Sequence, residues 1–226
     1  MCGRYALYAP HSQLRARFNL QDNDPDLAPR FNIAPTARVP VIRQNADGVR
    51  TLELARWGLV PSWIKPGDDM PQPINAKVET AAIKPMFRHA FRASRILVPA
   101  NCFYEWKGVA GQKDPYLIRM RDQGLFGMAG LLEHHEGPGG PEITFAILTT
   151  TANPLVATIH DRMPVIVRPE DFDRWLAPDN RDVESLLAIA GPYPEREMET
   201  FRIDRRINHS DTEGADLIQP VLGDAV

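Results

Sequence analysis

The chain opens Met1-Cys2-Gly3-Arg4. A short side chain directly behind the initiator methionine makes Met1 a candidate for removal, and removal would leave Cys2 with a free α-amine beside its thiol. Such a 1,2-aminothiol holds two nucleophiles with reference pKa values of roughly 7.7–8.0 and about 8.5, so a useful fraction of each is reactive near neutral pH. An aldehyde can condense with the nitrogen and then be captured by the sulfur, closing a thiazolidine ring. No internal cysteine can do this. The plainer reading is that position 2 holds a small residue whose thiol is incidental. Gly3, which lets backbone approach a ligand closely, and Arg4, a fixed cation suited to phosphate, weigh against it.

Asn75, Glu105, His160 and Arg162 are the other positions whose types could serve such chemistry. Glu105 lies among Phe103, Tyr104 and Trp106, so it either points outward at an alternate strand position or is a partly buried acid with a raised pKa. His160-Asp161-Arg162 is a polar cluster just ahead of an apolar run, a place where function is often mounted, although one histidine is weak evidence by itself. Asn75 reads equally well as a turn residue. His134 and His135 border the glycine-rich stretch 137–140, where a loop tip is a cheaper account than a metal site. Taken singly, none of these exceeds its structural explanation.

The elements that must position them are mostly short strands. Apolar runs at 96–100, 102–106, 116–120, 125–133 and 143–150 are separated by Gly, Pro and Asp, which implies a mainly antiparallel sheet or barrel-like core. Residues 39–43 and 52–57 flank an Asn45-Ala46-Asp47-Gly48 turn signal and predict a hairpin. Short helices are expected at 10–20, 169–175 and 182–190, with residues 74–80 entering another that Pro85 must break or kink. Arg88, Arg92 and Arg95 near that helix form the clearest basic cluster. Residues 21–30 and 65–69 read as surface loops, and a last strand near 201–203 with residues 217–221 completes the chain. The expected class is therefore α+β, a single domain over residues 1–226 with short flanking helices.

Composition narrows the partners. With 226 residues and 43% hydrophobic content the chain can bury a substantial core. Its formal net charge of -3 means that any nucleic-acid contact comes from a local patch rather than the overall field. The only cysteines are Cys2 and Cys102, with no CxxC pair, so neither a disulfide framework nor a cysteine zinc site is expected. No apolar run resembles a signal peptide or a membrane span, and the expected location is the cytoplasm.

Read in order, MCGRY, RFNIAPT, RWGLVPSW, INAKVET, CFYEW, IHDRMPVIV and GADLIQPV span Cys2 to about Val221. This series resembles the SRAP (SOS response-associated peptidase) family. The resemblance implies a protein that recognises abasic sites in single-stranded DNA and crosslinks to them through its N-terminal cysteine as a thiazolidine, after autocatalytic release of Met1. It implies Cys2 as nucleophile, His160 as the acid/base that opens the sugar and handles the Schiff base, Glu105 as a second proton-transfer group, and Asn75 as an orienting hydrogen-bonding group. Arg4, Lys77, Thr149 and Arg162 would hold phosphates, while Pro35 and Met86 would form an apolar wedge between bases. Where the family more usually has arginine, this chain has Lys77, a point charge in place of a bidentate fork. At Leu132 many members carry tryptophan. No metal or other cofactor is expected, the protein would act as a monomer, and it would associate with the nucleoid when on damaged DNA.

Two other readings compete. One is an N-terminal-nucleophile amidohydrolase or cysteine peptidase using Cys2, His160 and Glu105 on a peptide or small amide. The other is a noncatalytic single-strand binding module. A hydrolase turns over and has no need of cations around its nucleophile, and a simple binder is indifferent to Cys2→Ala.

Overall fold

Short β-branched and aromatic runs punctuated by Gly and Pro favour strands over long helices, and that composition governs the architecture. The computed structural model describes residues 2–21, 27–65, 68, 70–109, 112–137 and 139–221. The release of Met1 and parts of the surface loops expected at 21–30 and 65–69 fall outside the described residues.

Two sheets form the body. In the first, β1 (Tyr5–Leu7), β2 (Arg30–Ile33), β7 (Cys102–Val109), β8 (Gln112–Met120) and β13 (Met198–Arg202) lie in the order β13-β8-β7-β1-β2, antiparallel throughout. In the second, β3 (Arg38–Gln44), β4 (Arg50–Trp57), β6 (Arg95–Ala100), β9 (Phe126–Gly137) and β10 (Gly140–Thr151) pair in a ring, because β10 bonds both β4 and β9. That closure makes a five-stranded barrel and leaves these strands with few open edges. Three short strands attach to it: β5 (Asn75–Lys77) and β11 (Arg162–Pro164) on β10, and β12 (Ile166–Val167) on β9. The expected α+β class with a mainly antiparallel, barrel-like core is what the chain adopts; β10 pairs in parallel with β4 and β5.

Packing explains the tight points. Trp57 lies edge-on to Tyr5 at 5.4 Å and stacks with Phe145 at 6.3 Å, so one buried indole joins the two sheets. Its Nε1–H donates to the Ile74 carbonyl at 2.8 Å, satisfying the polar edge in the core. Gly130 on β9 faces Ile96 of β6, and a Cβ there would stand 2.9 Å from Ile96 Cγ1, so glycine sets how closely these strands approach.

The helices are short, as expected: α1 (His11–Phe18), α2 (Val78–Ala81), α3 (Arg88–Ala93), α4 (Pro154–Ala157), α5 (Phe172–Leu176) and α6 (Val183–Ala188). Pro85 does separate two helices, α2 from α3. Some local expectations change. Residues 75–77 form a strand rather than the start of a helix, because the backbone of β10 at Ile147–Thr149 offers them a parallel partner. His134 and His135 lie within β9, paired with Ile143 and Glu142, so the hairpin continues past the expected loop. The last strand, β13, ends at Arg202 rather than Ile203, and residues 217–221 follow with the end of a 3-10 turn at Ala215–Ile218 and a single bridge, Ile203 to Pro220. The basic cluster also divides. Arg88 and Arg92 are exposed, but Arg95 is buried, donating to the carbonyls of Phe91, Trp175 and Asn180, and burial pulls its guanidinium down to about 10.

Candidate active site

Cys2 is fully buried where the first sheet meets the β5–β10 side of the barrel. The chain behind it runs along β7, with the Tyr104 N–H donating to the Arg4 carbonyl at 3.0 Å and the Asn101 N–H to the Ala6 carbonyl at 2.9 Å. From the other side, β5 presents Asn75, whose Nδ2 donates to the Cys2 carbonyl at 2.9 Å. The Oδ1 of Asn75 is buried with no partner among the described residues, an acceptor beside Cys2 with capacity to spare. Burial pushes the Cys2 thiol well above its ordinary range, and the nearby Glu105 carboxylate adds to the shift.

Glu105 is the buried acid rather than the outward one. Alternation along β7 sends Tyr104 and Trp106 into a small outer cluster with Ala6, Cys102 and Leu117, while Phe103 joins the main core on the Glu105 side. Only 2% of Glu105 is exposed, and burial raises its carboxyl, with the charge of His160 among the influences pulling it back. A carboxyl raised this way holds a proton closer to neutral pH than an exposed one.

His160 is delivered by α4, which Asn153 caps by accepting the Val156 N–H at 2.9 Å; the His160 N–H then closes the turn on the Val156 carbonyl. Its Nδ1 stands 3.0 Å from two groups, the Arg162 N–H and Asp161 Oδ1. An unprotonated Nδ1 accepts from the first and a protonated one donates to the second, so the two exclude each other. The Asp161 side chain is 86% exposed, and the amide is fixed by β11, so the amide contact governs the neutral ring. Nε2 then carries the proton.

The expected phosphate-holding residues divide. Lys77 is exposed, opposite Thr149 in the β5–β10 register. Thr149 is 1% exposed, and its hydroxyl lies 3.5 Å from the Ala76 carbonyl and from Arg162 Nη2, so it braces the strands. Arg162 reaches the same place from β11, with Nη2 donating to the Thr149 carbonyl at 2.6 Å. Its fork also grips Glu79 through Nη1 at 2.6 Å and Nη2 at 2.9 Å. Arg4 turns inward: Nη1 donates to Asn32 Oδ1 at 2.6 Å and to the Ile207 carbonyl at 2.9 Å, and the guanidinium lies 5.9 Å from the Trp106 ring. Burial lowers its pKa.

Pro35 occupies the second position of a turn in which the Ala37 N–H donates to the Ala34 carbonyl at 3.3 Å and Thr36 takes φ 71°. A β-branched residue in that conformation is strained, and the Thr36 N–H bond to the Trp57 carbonyl at 2.8 Å holds it there. Met86 is half-buried on the turn between α2 and α3, packed on the core. Neither belongs to the hydrogen-bond network around Cys2 among the described residues. Cys2, Asn75, Glu105 and His160 are thus drawn together, with Lys77, Thr149 and Arg162 along the adjoining strands.

Sequence reasoning passed over Glu79 and Asn32. Asn32 is fully buried, and its Nδ2 donates to the carbonyls of His209 and Thr212, tying the C-terminal segment to β2 and fixing Arg4. Those carbonyls lie far along the chain, 177 positions away for His209, so no local pattern signals the contact. Among the described residues no group of three or more His, Cys, Asp or Glu side chains could hold a metal ion, and no helix is long and apolar enough to cross a membrane.

The chain resembles known proteins along most of its length. Residues 1–210 match the family model described as SOS response associated peptidase (SRAP). The chain is 35% identical to the abasic site processing protein YoqW of Bacillus subtilis, over 97% of this chain and 99% of that protein. It is 30% identical to the abasic site processing protein YedK of Escherichia coli, over 98% of this chain and all of that one. The crystal structure of a Bacteroides thetaiotaomicron protein superposes with a TM-score of 0.87 at 24% identity, covering 98% of this chain and all of that one, a likeness of fold.

Proposed function

The chain belongs to the SOS response associated peptidase (SRAP) family, and from that membership and the surroundings of Cys2 we propose that it processes abasic sites in single-stranded DNA by a covalent crosslink through Cys2. Two curated relatives bear the name abasic site processing protein. The observation that carries the finer reading is the amide of Asn75, anchored on the Cys2 carbonyl with its buried Oδ1 left over as an acceptor. An α-amine on Cys2, or a sugar hydroxyl held beside it, supplies the N–H or O–H that this oxygen lacks.

Hydrolysis of the Met1–Cys2 peptide bond frees the amine. His160, with Nε2–H as donor, assists opening of the closed abasic sugar to its aldehyde. The amine nitrogen attacks the aldehyde carbon, and the resulting carbinolamine loses its hydroxyl as water when Glu105 supplies a proton, leaving an iminium ion and the Glu105 carboxylate. Cys2 Sγ then bonds to the iminium carbon, the C=N electron pair returns to nitrogen, and the thiol proton passes to the Glu105 carboxylate. The sum is aminothiol plus aldehyde giving thiazolidine plus one water. A thiol pushed upward by burial suits this order, because the amine acts first and the sulfur is called on only after an electrophile stands beside it.

The same direction of shift disfavours the cysteine-peptidase reading, which needs a thiolate stabilised below its ordinary range. Lys77 and Arg162 are assigned to the phosphates on either side of the lesion, and Arg4 to fixing the N-terminal strand from which Cys2 projects.

A denaturing gel of the protein with a single-stranded oligonucleotide carrying one abasic site tests the proposal. A retarded band is expected with wild type, none with Cys2→Ala, and none when one residue is inserted between Met1 and Cys2. An undiminished band from the insertion variant removes the aminothiol mechanism.

A further inference from the structure

Arg162 does not face the strand-binding side as a bare cation. Its Nη1 and Nη2 donate to the two oxygens of Glu79 at 2.6 and 2.9 Å, the fork-to-fork geometry with which a guanidinium also grips a phosphate. Nη2 spends its other proton on the Thr149 carbonyl, and Nε is buried without a partner among the described residues. A phosphate approaching Arg162 end-on therefore meets a carboxylate already seated.

We infer that Glu79 is a gate on Arg162, a carboxylate occupying the seat of a backbone phosphate and displaced when a strand binds; this rests on the reading that the chain binds single-stranded DNA. The partners differ in freedom. The Arg162 side chain is 11% exposed and is held by the Thr149 carbonyl and by the β10–β11 pairing, whereas the Glu79 side chain is 47% exposed and can rotate into water. The Thr149 carbonyl and the β10–β11 pairing hold Arg162 independently of Glu79, so orienting Arg162 does not by itself account for the pair. Lys77, two positions earlier and exposed, keeps a cation near the displaced carboxylate.

The gate changes what a phosphate contact releases. Neutralising a phosphate with a free arginine releases condensed counterion, and each such contact adds about 0.7 to the slope of log affinity against log salt for single strands. When the phosphate must first evict Glu79, the arginine brings a bare carboxylate with it, the pair adds no net positive charge against the strand, and most of that salt dependence cancels. Glu79 thereby weakens binding to intact strands and leaves more of the selection to the lesion.

The test is equilibrium binding of undamaged oligothymidylate across a salt series, using wild type, Glu79→Gln, Glu79→Asp, Arg162→Ala and the Glu79→Gln/Arg162→Ala double variant, with thermal melts to show that each is folded. Glu79→Gln is expected to bind about two- to tenfold tighter at equal salt, with a slope steeper by about 0.7. Glu79→Asp keeps the charge and loses reach, so it should fall between Gln and wild type. The gain should vanish when Arg162 is absent. Equal or weaker binding by Glu79→Gln, or the same gain in the Arg162→Ala background, overturns the gate. Failure of wild type to bind at low salt would instead remove the single-strand reading, and the gate with it.

Discussion

At the scale of single residues the balance is between burial and charge, and Glu105 is where it bears on chemistry. Burial raises its carboxyl, so the folded chain binds that proton more tightly than the unfolded chain does. The associated stability is complete below the unfolded value of about 4.3 and is lost as pH rises through the raised folded value. Glu105→Gln cannot ionise and escapes that loss. Urea titrations at several pH values should therefore show the Gln variant gaining on the parent between pH 4 and pH 8, while its crosslinking slows at least tenfold. A stability difference independent of pH would mean that Glu105 is not held against its charge. Glu79 presents the opposite case: Arg162 holds its carboxyl below the ordinary range, so their pairing persists above the unfolded value and is lost as pH falls through the folded one. Asn75, Glu105 and His160, the three groups around Cys2, were legible in the sequence only through the ordered motifs that carry the family resemblance. Taken alone, Glu105 could as well have faced water, and its burial follows from the alternation of β7 against a sheet whose closure lies far away in sequence.

At the scale of elements the local patterns did well where partners are close. The β3–β4 hairpin, its Asn45–Gly48 turn, α1 and the interruption at Pro85 all follow from turn residues and apolar spacing. Parallel pairing did not show itself: β5 is only three residues long and is a strand because β10 lies beside it. The burial of Arg95 was equally silent, since the carbonyls that satisfy it come from α3 and from the segment around α5. Where β9 crosses β6, Gly130 permits a backbone approach that any side chain obstructs. Gly130→Ala should cost about 1–3 kcal/mol through overpacking against Ile96, read from the midpoint of urea unfolding. An unchanged midpoint would show that β9 shifts freely at this point, contrary to the closed barrel.

At the scale of the whole molecule the barrel and the five-stranded sheet act as two walls that meet at Cys2. The sheet contributes the N-terminal strand and Glu105, the barrel side Asn75, His160 and the cations of β5 and β11. That division explains why the site residues are scattered along the chain, and why Asn32 at one remove and Trp57 at the sheet junction carry weight without touching the nucleophile. Net charge is slightly negative, -3, so attraction to a strand depends on a local set of cations, one of which Glu79 neutralises in the free chain. The proposed crosslink depends on a terminal aminothiol on Cys2 that captures the abasic aldehyde. The most direct measurement is the intact mass of the purified adduct, followed by alkylation of the denatured adduct with iodoacetamide. The expected mass is that of the chain without Met1 plus the oligonucleotide less one water, with Cys102 alkylated and Cys2 protected. An adduct that retains Met1, or one in which Cys2 takes up the label, would contradict it.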